Sequence, residues 1–334
     1  GISYLIERDN NQFVLKRQKL LSNEVKPNFK YSFWREVDFN VFVNNLSKNK
    51  QPYFMKLYEH SVNNCDYQHK PKYIPPDQKK ELDIRNKSKH CLDMVIEYKG
   101  NELYGLLDKK GMSIQERYCM LIQILYAFET IREHGYLHQD IHHGNITYKK
   151  TTHPIKIYGK MLPCEYQYSL IDYGEVKHSK YCTTQKERLN HAKHLKNNED
   201  IDQLFPQIIC QYYMLYGHYN KTNRKYPDIN VKNTLSLFCK EINIWNKIKK
   251  ILCTTNESQK WFDTFEHKNK MIEDWDLINK IYYLFSAYNR HKFLKYIGWK
   301  IHIPNFIPSK DIIFMVENIT DNKKIIKYLL NLVC

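Results

Sequence analysis

The apolar and polar residues at the start of the chain alternate with the period of β-strands. Residues 2–7 read ISYLIE, residues 9–11 (DNN) have turn composition, and residues 13–16 (FVLK) begin a second apolar run. Alternating segments on both sides of a polar turn predict a β-hairpin over residues 2–20. Two further short strands are predicted at residues 53–58 and 92–97.

The rest of the first hundred residues contains one predicted helix and one predicted insertion. Phe33, Val37 and Val41 recur at intervals of four residues, and Leu46 extends the series, so residues 33–46 are predicted to form an amphipathic helix. Residues 61–90 contain three prolines and six lysines with few apolar residues. This composition predicts an exposed, mobile insertion between the strands.

From about residue 100 the apolar residues take the period of helices. Ser113 and Glu116 have the spacing of a capping box, which begins a helix, and Gly135 is a plausible residue to end it. Short strands are predicted at residues 146–148 and 168–171. Further helices are predicted at residues 203–216, 231–252, 269–289 and 322–333.

Composition places the chain among globular intracellular proteins. Of its 334 residues, 42% are hydrophobic and 26% are charged, which argues against wholesale disorder. No apolar run approaches the roughly 20 residues of a membrane span, and residues 1–10 lack the pattern of a signal peptide. The nine cysteines are odd in number and include no C-x-x-C pair. A disulfide framework or a zinc ribbon is therefore not expected, and a reducing compartment is.

The chain is strongly basic, with a formal net charge of +16. Such a balance suits nucleic acids, anionic membranes or acidic substrates as partners. It is also typical of the Lys, Asn, Ile and Tyr bias that an AT-rich genome imposes. We favour the compositional explanation, because no basic stretch is interleaved with aromatic residues in the manner of a nucleic-acid-binding fold.

Residues 138–145 (HQDIHHGN) concentrate three histidines, an aspartate and an asparagine directly after a predicted helix. His138 and Asp140 match the first half of a facial triad for iron, but that triad usually lies on a β-barrel. His142 and His143 lack a second ligand pair at the spacing of a zinc site. The segment is better explained as a catalytic loop, which requires partner residues elsewhere in the chain.

Five short motifs provide such partners in a fixed order. They are FVLK at residues 13–16, Glu36 on the predicted helix, VIEY at 95–98, His138-x-Asp140 with Asn145, and LIDYG at 170–174. In this order, and on strands, a helix and loops of the matching kinds, the motifs resemble those of the protein kinase superfamily. The resemblance covers residues 1–217.

The resemblance implies a role for each charged residue in phosphoryl transfer from ATP. Lys16 would hold the α- and β-phosphates, and Glu36 would hold Lys16. Asp140 would orient or deprotonate the acceptor hydroxyl. Asn145 and Asp172 would bind Mg²⁺.

The resemblance also implies where the nucleotide lies. Ile96 would stand at the gatekeeper position, and Glu97 and Lys99 would belong to the hinge on which adenine rests. Gly1 stands where the last glycine of the family's glycine-rich loop would lie, because Lys16 follows it across a hairpin. We therefore expect this chain to be a fragment or a trimmed form that binds ATP weakly.

The implied fold is α+β and bilobal, like that of protein kinases. Residues 1–98 would form a small β-rich lobe with one helix and residues 99–334 a mainly helical lobe, with ATP between them. The implied function is ATP- and Mg²⁺-dependent transfer of phosphate to serine or threonine in a protein, with acidic acceptors favoured by the basic charge. The Lys- and Asn-rich form resembles kinases of large DNA viruses.

Four departures from the family's pattern keep other functions open. Besides the missing glycine-rich loop, Gln139 replaces the usual arginine, and no Ala-Pro-Glu motif follows Asp172.

Asp202 stands where a buried aspartate would brace the catalytic loop, although it could equally be an N-cap. Residues 151–165 form a loop that is longer than a hairpin needs.

The fourth departure is His142, which replaces the lysine that contacts the transferred phosphate in serine/threonine kinases. A protonated His142 could supply the same charge, although less fully at neutral pH. The pattern around it is closer to small-molecule kinases of the aminoglycoside and choline type. A pseudokinase scaffold is the alternative from another class, favoured by the absent glycine-rich loop and opposed by the intact charged residues.

Because Gln139 cannot pair with a phosphorylated activation segment as an arginine would, activity should not depend on phosphorylation there. We predict that the variant Thr183→Ala/Thr184→Ala keeps most of the phosphate-transfer activity of the wild type. The measurement is incorporation of labelled phosphate by the two proteins at equal concentration. A large loss that an acidic replacement of either threonine restores would contradict the prediction.

Overall fold

The structure, a computed structural model, describes most of the first 204 residues and a short C-terminal segment. The described residues are 2–68, 79–103, 105–106, 113–204, 314–315 and 318–334. Gly1 lies outside them. The helices predicted at 231–252 and 269–289 also lie outside them, and so does the helix predicted at 203–216 except for its first two residues.

Four antiparallel strands form a sheet at the start of the chain. They are β1 (Ile2–Arg8), β2 (Asn11–Leu20), β3 (Leu57–Asn64) and β4 (His90–Glu97), and they lie in the order β1-β2-β4-β3. Asp9 and Asn10 connect β1 to β2 with φ angles of 51° and 60°. Positive φ at both positions matches the twist of a two-residue hairpin. The predicted hairpin over residues 2–20 is therefore confirmed.

Helix α1 (Ser32–Asn44) packs near β3 and confirms the helix predicted at residues 33–46. Its buried face includes Phe39, whose ring lies 5.0 Å from that of Tyr136 and 4.6 Å from that of Tyr173, measured between centroids. Val41 was assigned to this face from its spacing, but it is exposed. Residues two positions apart on a helix point to different sides, so Phe39 and Val41 cannot share one face.

Residues 61–90, predicted to be an exposed and mobile insertion, contain regular secondary structure in most of their described part, and helix α2 within them has no buried residue. Strand β3 continues to residue 64, helix α2 (Lys79–Lys87) follows, and β4 already begins at residue 90. The guanidinium of Arg85 donates to both carboxylate oxygens of the buried Glu24, at 2.7 and 2.9 Å. This contact between distant residues ties α2 to the sheet, and residue composition gives no sign of it. The strand predicted at 53–58 likewise begins only at residue 57, because residues 51–53 form a 3₁₀ turn.

The expectation that the cysteines form no disulfide is corrected at one pair. Cys65, just after β3, is bonded to Cys91 at the start of β4, and their Cα atoms are 5.8 Å apart. The cysteines at 119, 164, 182 and 334 are free. The pairing joins two neighbouring strands, a contact that the scattered positions in the sequence do not reveal.

Helix α3 (Ile114–Arg132) supplies much of the hydrophobic core. The Ser113 hydroxyl accepts a hydrogen bond from the backbone N–H of Glu116 at 3.1 Å, as predicted for an N-cap. The Glu116 carboxylate does not complete the predicted capping box. It accepts hydrogen bonds from the Glu165 backbone N–H and the Tyr168 hydroxyl, each at 2.8 Å. Glu116 therefore connects α3 to the strand that carries Tyr168.

One short strand precedes α3, and six more follow it around and beyond the loop at residues 138–145. They are β5 (Asn101–Glu102), β6 (Tyr136–Leu137), β7 (Ile146–Lys150), β8 (Ile155–Ile157), β9 (Lys160–Leu162), β10 (Tyr166–Leu170) and β11 (Lys177–His178). Strands β10, β7 and β5 form one sheet, while β6 pairs with β11 and β8 with β9. The predicted loop at 151–165 thus contains a small hairpin of its own, β8-β9.

Three more helices complete the described fold, which is α+β. They are α4 (Gln185–Asn197), α5 (Glu199–Leu204) and α6 (Asn322–Val333). Helix α6 packs on α3 and buries four aliphatic side chains, so the helix predicted at 322–333 is confirmed. Among the described helices, none combines the length and the apolar character needed to cross a membrane.

Candidate active site

Lys16 and Glu36 meet at the centre of the candidate site. Lys16 lies on β2 and Glu36 on α1, and the Lys16 ammonium lies 2.8 and 2.9 Å from the two carboxylate oxygens of Glu36. The Lys16 side chain is 20% exposed and that of Glu36 only 4%. Because a single buried charge would be costly, each group needs the other in this position.

Asp172 is the second partner of the Lys16 ammonium. Its Oδ1 atom lies 2.9 Å from Nζ of Lys16 and also accepts a weaker hydrogen bond from the Gly174 backbone N–H at 3.4 Å. Asp172 has a φ of 58°, which aspartate tolerates better than most residues. Its Oδ2 atom makes no hydrogen bond within the described residues, and the Asp172 side chain is 48% exposed. Lys16 thus joins β2, α1 and the segment after β10.

Burial and charge oppose each other in this cluster. Burial disfavours the charged form of Lys16, but Glu36 and Asp172 overcome it and raise the pKa of Lys16 above its ordinary value. Burial raises the pKa of Glu36, and the contact with Lys16 offsets part of that rise. For Asp172, burial is outweighed by Lys16, so its pKa lies below the usual range. The cluster therefore holds a permanent positive charge between two carboxylates at neutral pH.

Asp140 and Asn145 are held together in the loop between β6 and β7. The Asn145 amide nitrogen donates to the Asp140 carboxylate and to the Asp140 backbone carbonyl, each at 2.9 Å. The Ile171 backbone N–H donates to the Asn145 carbonyl at 3.0 Å. That bond connects the loop to the residue directly before Asp172.

The residue that braces this loop is Asp200, so the sequence assignment to Asp202 is wrong. The buried Asp200 carboxylate accepts hydrogen bonds from the backbone N–H groups of His138 and Gln139, at 2.8 and 2.9 Å. Asp202 lies inside α5 and is not its N-cap. Asp200 and Asp202 stand two positions apart in one short helix, and the sequence alone does not tell which of them reaches the loop.

His138 connects the loop to the segment before Asp172 through hydrogen bonds. Its Nε2 atom lies 3.0 Å from the Ile171 carbonyl oxygen, and its Nδ1 atom lies 3.4 Å from the Asp140 backbone N–H. These partners fit a neutral imidazole that carries its proton on Nε2. Burial lowers the pKa of His138, which favours the same neutral form.

Tyr173 fixes the segment that carries Asp172. Its ring is fully buried, and its hydroxyl donates to the Leu170 carbonyl at 2.8 Å and accepts from the Met55 backbone N–H at 2.7 Å. The hydroxyl thus satisfies two buried backbone groups that a phenylalanine would leave without these bonds.

His142 lies beside Asp140 but turns one nitrogen toward its own loop. Its Nδ1 atom accepts a hydrogen bond from the Gly144 N–H at 3.0 Å, and its Nε2 atom lies 3.6 Å from Asp140 Oδ2. The second distance is longer than a hydrogen bond. The ring is partly exposed, so Nε2 can still meet a substrate.

The three residues assigned to the hinge are not grouped with Lys16. Ile96 is buried in β4, where it pairs with Val14 of β2. The Glu97 carboxylate forms an ion pair with Lys99 at 3.0 Å. Both side chains line a cavity that contains none of the charged residues described above. The assignment of Ile96, Glu97 and Lys99 to an adenine site stays a prediction.

Two carboxylates that the sequence interpretation missed hold the segment after Asp172. Asp38 of α1 accepts a hydrogen bond from the Tyr181 hydroxyl at 2.6 Å and pairs with Lys180 at 2.5 Å. Glu187 accepts hydrogen bonds from the backbone N–H groups of Thr183 and Thr184, at 2.6 and 3.1 Å. The spacing of Thr184 and Glu187 is a capping box, which was a readable signal. Asp38 and Glu187 thus hold the segment that contains Thr183 and Thr184, the two residues considered above as sites of phosphorylation.

Oxygen atoms make up the donor set that could hold a divalent cation here. Asp172 Oδ2 and the amide oxygen of Asn145 are hard ligands of the kind Mg²⁺ prefers. Among the described residues, no group of three or more His, Cys, Asp or Glu side chains has the arrangement of a metal site. A cation at this place would therefore share its coordination with a ligand such as a phosphate.

The contact between Asp38 and Tyr181 should couple α1 to the segment after Asp172. We predict that Asp38→Ala and Tyr181→Phe show a coupling free energy of about 0.5–1 kcal/mol in a double-mutant cycle. The measurement is urea unfolding of the wild type, both single variants and the double variant. The exposed pair Arg8–Glu59 is the control, and its cycle should give a value near zero. Simple additivity at Asp38 and Tyr181 would refute the coupling.

Burial of His138 should make stability depend on pH. Above about pH 6.5 the imidazole is neutral in both states, whereas below it the unfolded chain binds a proton that buried His138 resists. The free energy of unfolding should then fall with decreasing pH, by up to about 1.4 kcal/mol per pH unit from this residue.

Replacing His138 by Gln should reduce this dependence between pH 7.5 and 5.5, as measured by urea unfolding. Replacing the exposed His60 by Gln should leave it unchanged. Equal pH profiles for wild type and His138→Gln would show that His138 is not the cause.

Comparison with solved structures finds similar chains, whereas the sequence comparisons find none. No family model and no curated protein sequence matches the chain. A chain in the crystal structure of the yeast RNA Pol II CTD kinase CTDK-1 complex is similar, with 16% identity and a TM-score of 0.33. The alignment covers 53% of this chain and 43% of that chain, so this chain spans less than half the length of that relative. The likeness is to a kinase complex, at a TM-score that does not establish a common fold.

Proposed function

We propose that this protein is an ATP- and Mg²⁺-dependent phosphotransferase with the bilobal architecture of protein kinases. Residues 1–98 would be the small lobe and residues 99–334 the large lobe. One observation carries the proposal, namely that the Lys16 ammonium lies between the carboxylates of Glu36 and Asp172. Three elements far apart in sequence bring these groups together, which is the arrangement that phosphate binding beside a cation requires.

In this proposal Lys16 binds phosphate oxygens of ATP, and Glu36 keeps its ammonium in place. The buried Glu36 can accept both contacts from Lys16 without help from solvent, so the ammonium is fixed before a nucleotide arrives. Asp172 Oδ2 and the Asn145 amide oxygen would hold Mg²⁺. When bound, the cation would neutralise negative charge on the phosphates.

Asp140 would orient or accept the proton of the attacking hydroxyl. Its Oδ2 atom accepts a hydrogen bond from Asn145, and its side chain is 44% exposed, so it is both fixed and open to an acceptor. Asp200 holds the backbone at His138 and Gln139, which fixes the start of the same loop. These contacts supply the positioning that general-base catalysis needs.

The acceptor is proposed to be serine or threonine in a protein, with acidic sequences favoured by the net charge of +16. A small hydroxylated molecule is the second candidate, and His142 is the observation that favours it. Its Nε2 atom lies 3.6 Å from Asp140, at the position where a serine/threonine kinase would present a lysine. An imidazole is neutral for much of the time at pH 7, so it substitutes only partly for that lysine.

Thermal unfolding with and without ATP and Mg²⁺ tests the nucleotide site. At an ATP concentration 100 times the dissociation constant, we expect a stabilisation of about 2.7 kcal/mol that requires both components. Asp172→Ala should abolish the Mg²⁺-dependent part. Glu175→Gln, an exposed carboxylate three residues away, should keep it. Absence of any shift in the wild type would count against an enzyme and in favour of a scaffold.

Labelled ATP offered with several acceptors tests the substrate class. Acidic and basic proteins would be compared with a panel of aminoglycosides and choline under the same conditions. Label in acidic proteins supports the protein-kinase proposal, whereas label only in small molecules overturns it and supports the second candidate. The Asp140→Asn variant is the control, since it should remove transfer to every acceptor while keeping the ATP-dependent thermal shift.

A further inference from the structure

The cavity lined by Glu97 and Lys99, called the second pocket below, lies apart from the cluster around Lys16. It has a volume of about 520 Å³, and its walls come from residues 49–53, residues 97–99, residues 149–156 and strand β10. Neither Lys16 nor any proposed Mg²⁺ ligand lines it. The pocket is large enough for a small ligand, and it touches the segment that directly follows β4.

The charges on its walls are unbalanced. Four lysines, Lys99, Lys149, Lys150 and Lys156, line the pocket together with one carboxylate, Glu97. Glu97 is already paired with Lys99 at 3.0 Å. Within the described residues, none of the other three lysines makes an ion pair. These three lysines are exposed, and Glu97 is the one carboxylate among the residues that line the cavity.

Lys99 is the most buried of the four lysines in the pocket wall. Its side chain is only 12% exposed. Burial, together with the nearby Lys56 and Lys149, lowers its pKa despite the contact with Glu97. An anion in the pocket would favour the charged form of Lys99.

Neutral hydrogen-bond donors complete the walls. Thr152, which carries a hydroxyl group, and Asn49, which carries an amide group, belong to the lining beside His153. Hydroxyl and amide groups beside ammonium groups are the usual partners of phosphate oxygens. A carboxylate ligand would use fewer of them, because it offers fewer oxygens to contact.

We propose that this pocket binds a ligand with two or three linked phosphates. A single phosphate carries about −1.5 to −2 charges at neutral pH and would leave part of the positive charge unmatched. A diphosphate or triphosphate matches three ammonium groups. The ligand could be a free oligophosphate or the phosphate chain of a nucleotide, since the chemistry at the pocket is the same.

The position of the pocket gives binding a structural effect. Its walls join the 49–53 turn, the 97–99 segment and the 149–156 loop, and the Ser169 hydroxyl donates to the Pro52 carbonyl at 2.8 Å within the same lining. An anion bound to lysines of both the 97–99 and 149–156 segments would hold them at a fixed separation. This inference does not depend on the proposed phosphotransferase activity.

Titration calorimetry with sodium tripolyphosphate tests the proposal on the full chain. The variant Lys149→Ala/Lys150→Ala/Lys156→Ala should bind at least about tenfold more weakly than the wild type, since each lost ammonium removes a charge-assisted contact. The control variant Lys186→Ala/Lys193→Ala/Lys196→Ala loses the same charge from the exposed face of α4. It should bind within about threefold of the wild type.

Three results would overturn the proposal: no binding by the wild type, equal weakening in the two triple variants, or loss of binding only in Lys16→Ala. The corresponding Lys→Gln variant keeps side-chain length and guards against a folding defect in the alanine variant. ADP titrated into Lys16→Ala separates the two sources. If ADP binds to Lys16→Ala and this binding is lost when the three pocket lysines are also replaced, the ligand is a nucleotide. If tripolyphosphate binds to Lys16→Ala and ADP does not, the ligand is a free oligophosphate.

Discussion

The ammonium of Lys16 is the point at which the described fold comes together. It contacts Glu36 on α1 and Asp172 after β10, at distances of 2.8 and 2.9 Å. Removing Lys16 would leave the buried Glu36 carboxylate without its partner, which costs far more than the loss of an exposed ion pair. The contacts of Asp38 with Tyr181 and of Phe39 with Tyr173 also join α1 to the segment after β10, so several independent contacts fix the position of α1.

The local features of the sequence were sufficient to predict the elements around this cluster. The hairpin, α1, β4 and α3 follow from period-two or period-four apolar spacing and from turn and cap residues. The partners Lys16, Glu36 and Asp172 could be assigned because they stand in a characteristic order along the chain, and the structure brings these three together. Asp140 and Asn145 also lie together, although their catalytic roles remain proposals.

What could not be predicted depends on contacts between distant residues. Asp200 and Asp202 are equivalent in the sequence, and only the rotation of α5 determines that Asp200 reaches the loop. The Arg85–Glu24 pair and the Cys65–Cys91 bond order a segment whose composition is that of a loop. The lysines around the second pocket are unremarkable in a chain with 52 Lys and Arg residues until the fold collects them on one cavity.

Tyr173 has a consequence for the kind of compound that can bind beside it. Its hydroxyl bonds to Leu170 and Met55 must both break before the ring can leave its pocket, in addition to the loss of packing against Phe39. Two such bonds add about 1–3 kcal/mol to the free energy of that displaced state. A compound that binds only the displaced state loses apparent affinity in proportion to its rarity. Compounds that bind while the Tyr173 ring stays in its buried position are therefore the better starting point.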